Sequence, residues 1–293
     1  MTVLRIATRS SLQARTQAEY VGGLIEKSSP GTTVEYVYVD TQGDLNATTP
    51  LHQIGGQGIF VKEVQRAVLD GRAEIAVHSA KDLPSQQAEG LVIAAIGERR
   101  TANDALVGCS LNDLAQGATV ATGSVRRRAQ LTRLRPDLQF VDLRGNIQTR
   151  LSKIPDGGAI VMAIAAMEIL GITDRIAEVL PLDVAVPMVG QGSVAVECRA
   201  DDTVTAAVLA GIDHAPSRRA VEAERAFLAE LGAGCSLPVA AHLSKDGVFR
   251  AFMAADDISD TVQLEGEIGD SDDHIVVGVA MAIECRSRLQ DKA

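Results

Sequence analysis

Apolar residues in this chain occur in short runs, separated by longer stretches in which apolar positions recur at helical spacing. Short runs rich in Val and Ile predict strands, and the amphipathic stretches predict helices. Up to residue 200, strands are predicted at 4–7, 34–39, 74–77, 91–96, 119–121, 140–143, 159–163 and 193–197. Helices are predicted from 10 or 11 to about 27, at 60–69, ending near 134, 153 and 170, and at about 202–212 and 217–231. Further strands at 239–243, 248–254 and 261–266 precede a final helix that begins near 274.

Strand–turn–helix units follow one another three times between residues 119 and 170. Such units predict a parallel sheet with helices on its faces. Ligands of these sheets bind at the carboxyl ends of the strands. The sequence therefore predicts one polar site that is built from separate strands. Its candidate segments are Thr8-Arg9, Lys81-Asp82, Thr122–Ser124 and Arg144–Asn146.

The composition fits this α/β pattern and limits the class of protein. The 293 residues suffice for two or three domains, and 46% are hydrophobic but only 3% aromatic, which predicts an aliphatic core. The beginning of the sequence does not resemble a signal peptide, and no apolar stretch is long enough to span a membrane. Four scattered cysteines without metal-binding spacing indicate reduced thiols, no metal site and a cytoplasmic location.

The formal net charge of −10 argues against binding to nucleic acid, which needs a broad basic surface. Positive charge is nevertheless concentrated between Arg126 and Lys153, a segment that contains eight basic residues and only two acidic ones. An acidic protein with one basic segment suggests a local pocket for a small polyanion.

Arg126 and Arg127 open the helix that follows the strand at 119–121. The amino end of a helix binds anions, and an arginine there opposes the helix dipole unless an anion is present. The alternative is an ordinary solvated basic face. Arg144 and Arg150, which follow the next strand, favour the ligand hypothesis, whereas Arg128, Arg133 and Arg135 are predicted to be surface residues.

Cys235 lies in a turn between Gly234 and Pro238, directly after a predicted helix. A thiol on a glycine-flanked turn is well placed to be a nucleophile or a covalent attachment point. The alternative is an inert loop cysteine. The other cysteines, Cys109, Cys198 and Cys285, lie in or beside apolar segments and are predicted to be core residues.

Asp82 follows Lys81 at a strand end. In a basic pocket its carboxylate would stabilise a developing cation, whereas the alternative is a surface pair that contributes little. Two further classes of protein stay open at this point. One is a two-lobed solute-binding protein for a carboxylated small molecule, and the other is a hydrolase with a cysteine nucleophile.

Seven motifs, in order along nearly the whole chain, resemble those of the hydroxymethylbilane synthase family, also called porphobilinogen deaminase. They are Arg5-Ile-Ala-Thr-Arg9-x-Ser11, Gly55-Gly-x-Gly58-x-Phe60-x-Lys62-Glu63, Ala76-Val-His78-Ser79-x-Lys81-Asp82-x-Pro84, Thr122-x-Ser124-x-Arg126-Arg127, Leu143-Arg144-Gly-Asn146-x-x-Thr-Arg150-Leu, Val189-Gly-Gln191-Gly-x-Val-x-x-Glu-Cys-Arg199 and Gly234-Cys235-x-x-Pro238.

The resemblance implies an enzyme of porphyrin and haem biosynthesis that joins four porphobilinogens, releases ammonia at each step and hydrolyses off a linear tetrapyrrole. The chain grows on a dipyrromethane cofactor attached to Cys235 by a thioether. Asp82 would hold the pyrrole N–H groups and stabilise a cationic azafulvene intermediate. The residues implied for the cofactor are Lys81, Asp82, Thr122, Ser124, Arg126, Arg127 and Gln191. Those implied for substrate or growing chain are Arg9, Ser11, Phe60, Arg144, Arg150 and Arg175.

The resemblance also implies a fold of two lobes like those of periplasmic binding proteins around a cleft, plus a small α+β C-terminal domain. The expected domains are 1–97 with 193–213, 98–192, and 214–293, in a monomer whose segment 42–58 is a mobile loop. Three positions depart from the family's pattern. Gly123 replaces the usual Ser, Gln13 stands where Leu is frequent, and Ala233 stands where Gly is common.

Overall fold

The computed structural model describes residues 2–41, 58, 61–232 and 237–292. Its strands are β1 (Thr2–Arg9), β2 (Thr32–Val39), β3 (Ile75–Ser79), β4 (Leu91–Ile96), β5 (Asp104–Gly108), β6 (Thr119–Ala121), β7 (Gln139–Val141), β8 (Ala159–Ala163), β9 (Ile176–Val179), β10 (Val194–Arg199), β11 (Val239–Leu243), β12 (Val248–Ala254) and β13 (Thr261–Glu267). Its helices are α1 (Leu12–Ser28), α2 (Lys62–Leu69), α3 (Val125–Leu134), α4 (Ile147–Leu151), α5 (Ile164–Leu170), α6 (Thr203–Ala210), α7 (Ala215–Glu230) and α8 (His274–Gln290). The α/β class predicted from the sequence is confirmed.

The chain forms two compact units. Of the described residues, the first contains 2–41, 58, 61–100 and 192–219, and the second contains 101–191, 220–232 and 237–292.

The sheet of the first unit has the strand order β2-β1-β3-β10-β4. β1 runs parallel to β2 and to β3, whereas β10 runs antiparallel to β3 and β4. The chain thus returns to this sheet through β10 after it has built most of the second unit. Buried aliphatic side chains of the strands, such as Ile6 and Val196, pack against Val21 and Ile25 of α1.

The larger sheet of the second unit has the order β7-β6-β8-β5-β9. β6 runs parallel to β7 and β8, as the repeated strand–helix units predict, but β5 runs antiparallel to β8 and β9. In each of the two larger sheets, four strands therefore run parallel to one another and the fifth, β10 or β5, runs antiparallel to its two neighbours. The strands β5 and β9 and this shared topology were not predicted from the sequence, because two short apolar runs do not reveal their pairing partners.

The C-terminal part of the second unit is an antiparallel sheet, β11-β12-β13, that packs against α7 and α8. The predicted strand bounds agree with it to within one residue. Phe227 of α7 and Phe249 of β12 lie in its core. A further cluster, which includes Ala129 of α3 and Phe252 of β12, packs this sheet against helix α3 of the same unit.

The described cysteines fit their predicted surroundings. Cys198 and Cys285 are buried, and Cys109 is partly buried against the core of the larger sheet in the second unit. In the part of the chain that the structure describes, no helix is both long enough and apolar enough to cross a membrane.

Candidate active site

Polar residues of the first unit lie at the edge of its sheet where the parallel strands end. β1 ends at Arg9, and Ser11 caps α1 by accepting a hydrogen bond from the N–H of Ala14. β3 is parallel to β1, and its register places residues 81 and 82 at the same edge. The structure therefore brings Arg9, Ser11, Lys81 and Asp82 to one edge of the sheet, as the sequence predicts.

Lys81 and Asp82 lie in a short 3-10 turn that directly follows β3. The backbone N–H of Ala80 donates a hydrogen bond of 2.9 Å to the carbonyl of Ser193, the residue just before β10. This bond connects the turn to the start of β10. Leu83 is buried and anchors the other end of the turn, while the side chains of Lys81 and Asp82 are half-buried. The backbone of the turn and the buried Leu83 thus help to fix its position.

A buried group of polar side chains supports β3 just before this turn. The Nε2 atom of His78 lies 3.1 Å from Oε2 of Glu197, and both side chains are only 2% exposed. The amide of Gln65 donates to both carboxylate oxygens of Glu197, at 3.2 and 2.9 Å. These contacts hold α2, β3 and β10 together beneath the Lys81-Asp82 turn.

Polar residues of the second unit follow β6 and β7, which are parallel and therefore end at one edge. The Oγ of Ser124 accepts from the N–H of Arg127 and caps α3, and Oδ1 of Asn146 accepts from the N–H of Thr149 and caps α4. Thr122 is buried, and its hydroxyl accepts from the N–H of Ser124. The predicted ligand hydroxyls thus also shape the turns that carry them.

Arg126 and Arg127 form ion pairs with Asp104, a buried residue at the start of β5. Nη2 of Arg126 lies 2.7 Å from Oδ2 of Asp104, and Nη2 of Arg127 lies 2.6 Å from Oδ1. Burial alone would raise the pKa of Asp104, but the charges of Arg126 and Arg127 outweigh it and hold that pKa well below its usual range. Burial lowers the pKa of Arg126, and the charge of Asp104 partly offsets this.

Asp104 was not predicted from the sequence to belong to the site. The signal that could have identified it is an aspartate at the start of the apolar run Asp104-Ala-Leu-Val, since a carboxylate is rarely buried without a cationic partner.

Gln191 lies inside the second unit and is only 1% exposed. Its amide donates to Oδ1 of Asp104 at 2.8 Å and to the carbonyl of Ala102 at 2.6 Å. Its described contacts therefore support the arginine pair from within.

Arg144 follows β7 and is half-buried, and burial lowers the pKa of its guanidinium, a shift that the charge of Asp142 opposes. Gly145 has a φ of 113°, which favours glycine, and its carbonyl accepts a hydrogen bond from Nε of Arg150 at 2.8 Å. The turn after β7 thus holds the side chain of Arg150 against the backbone of the residue that follows Arg144.

Arg175 lies apart from this group. It is exposed and precedes β9, and β9 runs parallel to β8 because each of them pairs antiparallel with β5. The start of β9 is therefore at the opposite edge of the sheet from Thr122 and Arg144. Cys235, Phe60 and residues 42–57 of the predicted mobile loop lie outside the described residues.

Comparison with known proteins gives the same family over most of the chain. Residues 4–207 match the model of the porphobilinogen deaminase, dipyromethane cofactor binding domain, and residues 218–287 match the porphobilinogen deaminase C-terminal domain. The chain is 47% identical to a porphobilinogen deaminase of Nitratidesulfovibrio vulgaris over 256 residues, which are 85% of this chain and 81% of that protein. It is 41% identical to that of Geobacter sulfurreducens over 286 residues, 95% of this chain and 90% of that protein.

Among solved structures, the methionine binding protein MetQ is similar to this chain at 14% identity and a TM-score of 0.45. The match covers 72% of this chain and 88% of the MetQ chain. This similarity is too low to support a conclusion about function. The chain belongs to the porphobilinogen deaminase family.

Proposed function

We propose that the polar sheet edges of the two units hold the substrate, the cofactor and the growing chain of the porphobilinogen deaminase reaction. As a member of this family, the chain is a transferase of tetrapyrrole biosynthesis, a hydroxymethylbilane synthase. Four porphobilinogens are joined head to tail with loss of one ammonia at each step, and water then releases the linear tetrapyrrole. Family membership does not favour the alternatives of a solute-binding protein or a cysteine hydrolase.

Asp82 is the proposed catalytic residue. The observation that carries this role is its position in the turn after β3, beside Lys81 and at the same edge as Arg9 and Ser11. Loss of ammonia from porphobilinogen leaves a cation that is spread over the pyrrole ring. A carboxylate held at a fixed place stabilises such a developing charge without reorganising, which is an effective form of catalysis. Its oxygens also accept hydrogen bonds from pyrrole N–H groups.

The residues of the second unit fit the dipyrromethane cofactor, whose acetate and propionate arms are carboxylates. The buried Nε–H groups of Arg126 and Arg127 have no hydrogen-bond partner among the described residues. Two guanidinium charges against one carboxylate also leave this group with a net positive charge. The remaining proposed contacts are Lys81, Thr122, Ser124 and Gln191, with Cys235 as the thioether attachment point. When bound, the dipyrromethane supplies the pyrrole carbon to which the first substrate is joined.

The proposed contacts of the substrate and the growing chain are cationic or polar, because each added pyrrole brings two more carboxylates. Arg9, Ser11, Arg144 and Arg150 lie at the sheet edges described above. Phe60 and Arg175 are included on the resemblance alone, the first because it lies outside the described residues and the second because its edge offers no geometric support.

We further infer the organisation of the whole chain. The three sheets support three domains. We propose for them the bounds 1–97 with 193–213, 98–192, and 214–293. We propose a cytoplasmic monomer that does not bind nucleic acid, in keeping with its net charge of −10.

Mass spectrometry and thiol counting test the cofactor attachment. The intact protein should weigh more than its sequence by one dipyrrole, and the denatured protein should alkylate at three of its four cysteines. Cys235→Ala should lack the added mass, while Cys109→Ala, a matched control at a partly buried thiol, should keep it. An active wild-type protein with four alkylated cysteines would contradict the proposal.

Incubation with porphobilinogen tests the reaction. The wild-type protein should release ammonia and a linear tetrapyrrole in a ratio of four to one. A protein that binds porphobilinogen but releases no ammonia would instead be a binding protein.

A further inference from the structure

Asp104 has a place in the second unit that neither the motifs nor the matched families assign. It is completely buried, and each of its two carboxylate oxygens contacts a different arginine of the same helix end. Gln191 donates a third hydrogen bond to Oδ1 at 2.8 Å. The carboxylate is thus held by three donors and has no surface from which it could reach a ligand.

The two guanidinium groups are held at both ends by this arrangement. Besides its contact with Asp104, Arg126 donates from Nη1 to the carbonyl of Val186 at 2.6 Å. Arg127 donates in the same way to the carbonyl of Val161 at 2.9 Å. Charge-assisted hydrogen bonds of this kind are short and directional. Together, the carbonyl and the carboxylate fix the plane of each guanidinium.

Stability alone does not account for a buried group of three charges. Apolar residues of similar volume are often as stable as buried ion pairs, because burying charges carries a large desolvation cost. Here two cations surround one anion at the amino end of α3, where the helix dipole adds further positive potential. The buried Nε–H of each arginine also has no partner among the described residues. These features all favour one more anion at this helix end.

The same group is linked to the helix that leads to Cys235. Glu224 of α7 is fully buried and accepts a hydrogen bond from the N–H of Gly190 at 2.8 Å. Gln191, which follows Gly190 in the chain, donates a hydrogen bond to Asp104. Helix α7 ends only five residues before Cys235. Hydrogen bonds therefore connect Asp104 with the element that precedes the attachment point.

We propose that Asp104 is a positioning residue that sets the guanidinium planes of Arg126 and Arg127 for the carboxylate arms of the dipyrromethane. This inference rests on the proposed function, since it assumes that the two arginines hold the cofactor. Asp104 itself touches neither cofactor nor substrate. Its negative charge is required because a neutral group of the same shape cannot hold two guanidinium groups at once.

Two substitutions separate charge from shape. Asp104→Asn keeps the shape and loses the charge, whereas Asp104→Glu keeps the charge and adds one methylene. Leu114→Ala is the control for destabilisation, because Leu114 is buried in the core of the same sheet and has no assigned role. For each protein, intact mass gives the fraction that carries the dipyrrole, and kinetics with porphobilinogen give kcat and KM per folded molecule.

We expect Asp104→Asn to be impaired more than Asp104→Glu. The impairment of Asp104→Asn should be seen as a lower fraction of protein that carries the dipyrrole, or as a kcat about 10-fold to 100-fold below wild type. KM should change by less than about threefold, because other arginines are assigned to the substrate. Leu114→Ala should lower the unfolding temperature but keep a wild-type kcat. Equal behaviour of Asp104→Asn and Leu114→Ala per folded molecule, or a smaller loss for Asn than for Glu, would overturn the inference.

If Asp104→Asn does not fold, Asp104→Glu alone tests the inference. Its displaced carboxylate should still lower kcat at unchanged KM. A wild-type kcat for Asp104→Glu would refute the positioning role. A wild-type protein without dipyrrole or turnover would instead refute the proposed function itself.

Discussion

Asp82 and Gly123 both lie in turns that directly follow a strand. For each of them, one substitution tests the proposed contribution of the residue. Asp82 combines a half-buried carboxylate with a backbone that is fixed by neighbouring residues. Its substitution should therefore change the chemistry of the turn and leave its shape intact.

Asp82→Asn should lower kcat by about 100-fold or more, because an amide cannot stabilise the cation that forms when ammonia leaves. The dipyrrole mass and the unfolding temperature should stay at wild-type values. Steady-state kinetics and intact mass check this. Asp70→Asn, the same change at an exposed position at the end of α2, serves as the control and should keep full activity. A kcat for Asp82→Asn within a few-fold of wild type would exclude the catalytic role.

Gly123→Ser should be harmful here, although Ser is the usual residue of the family at this position. A Cβ at residue 123 would lie 2.8 Å from the carbonyl oxygen of Leu143, in the turn after the neighbouring strand β7. Because the obstacle is backbone, the turns must move apart, at a cost of about 1–3 kcal/mol in the free energy of unfolding. Urea unfolding and kinetics should show lower stability and lower kcat.

Gly123→Ala tests whether the cause is steric, since it adds the same Cβ without a hydroxyl and should have the same effect. Gly23→Ala, in an exposed and uncrowded position of α1, should instead stabilise the protein by about 1 kcal/mol. If Gly123→Ser raised kcat at unchanged stability, the missing hydroxyl rather than the crowding would be the relevant departure from the family.

Helix α8 covers the C-terminal sheet and buries Cys285 in the core of that domain. Burial, with a smaller effect of Glu284, raises the pKa of the Cys285 thiol to about 12. In the unfolded chain a thiol titrates near pH 8.5, at about the usual value. The unfolded state therefore ionises first as the pH rises, and the folded state loses relative stability.

The free energy of unfolding should fall between about pH 8.5 and about pH 12, by roughly 1.4 kcal/mol per pH unit from this group alone. Below pH 8.5 the contribution is fully present. Urea unfolding of wild type and Cys285→Ala at pH 8 and pH 10.5 isolates it, because other groups titrate equally in both. The difference between the two proteins should shrink by about 2–3 kcal/mol. A difference that does not depend on pH would show that the thiol also ionises in the folded state.

The strands and helices differ in how well their sequences predict them. The strands β6 and β8 and the helix α3 have the bounds and the parallel pairing expected from strand–helix alternation. β5 and β9 were missed, because their partners lie far along the chain and pairing leaves no local pattern. Because β5 begins with Asp104, the buried ion-pair partner of Arg126 and Arg127 was missed as well.

The intact protein should be a monomer in solution, because a net charge of −10 opposes association of identical copies. Light scattering coupled to size-exclusion chromatography should give a mass near 30.8 kDa plus the dipyrrole. Raising the salt concentration screens this repulsion, so a series of salt concentrations is the appropriate control. A mass of twice that value at low salt would contradict the prediction.

The sequence by itself determined the α/β class, the order of most elements, the family and the candidate residues at the strand ends. Motifs and periodicity suffice for these features because each depends on residues that are close together in the chain. Only the tertiary structure decided which buried anion faces Arg126 and Arg127, that Gln191 supports them from inside, and that Arg175 lies at the other edge of its sheet. These features depend on the order and direction of the strands in each sheet. Strand pairing brings together residues that are far apart in the chain, and nothing in the local sequence around them indicates that they are in contact.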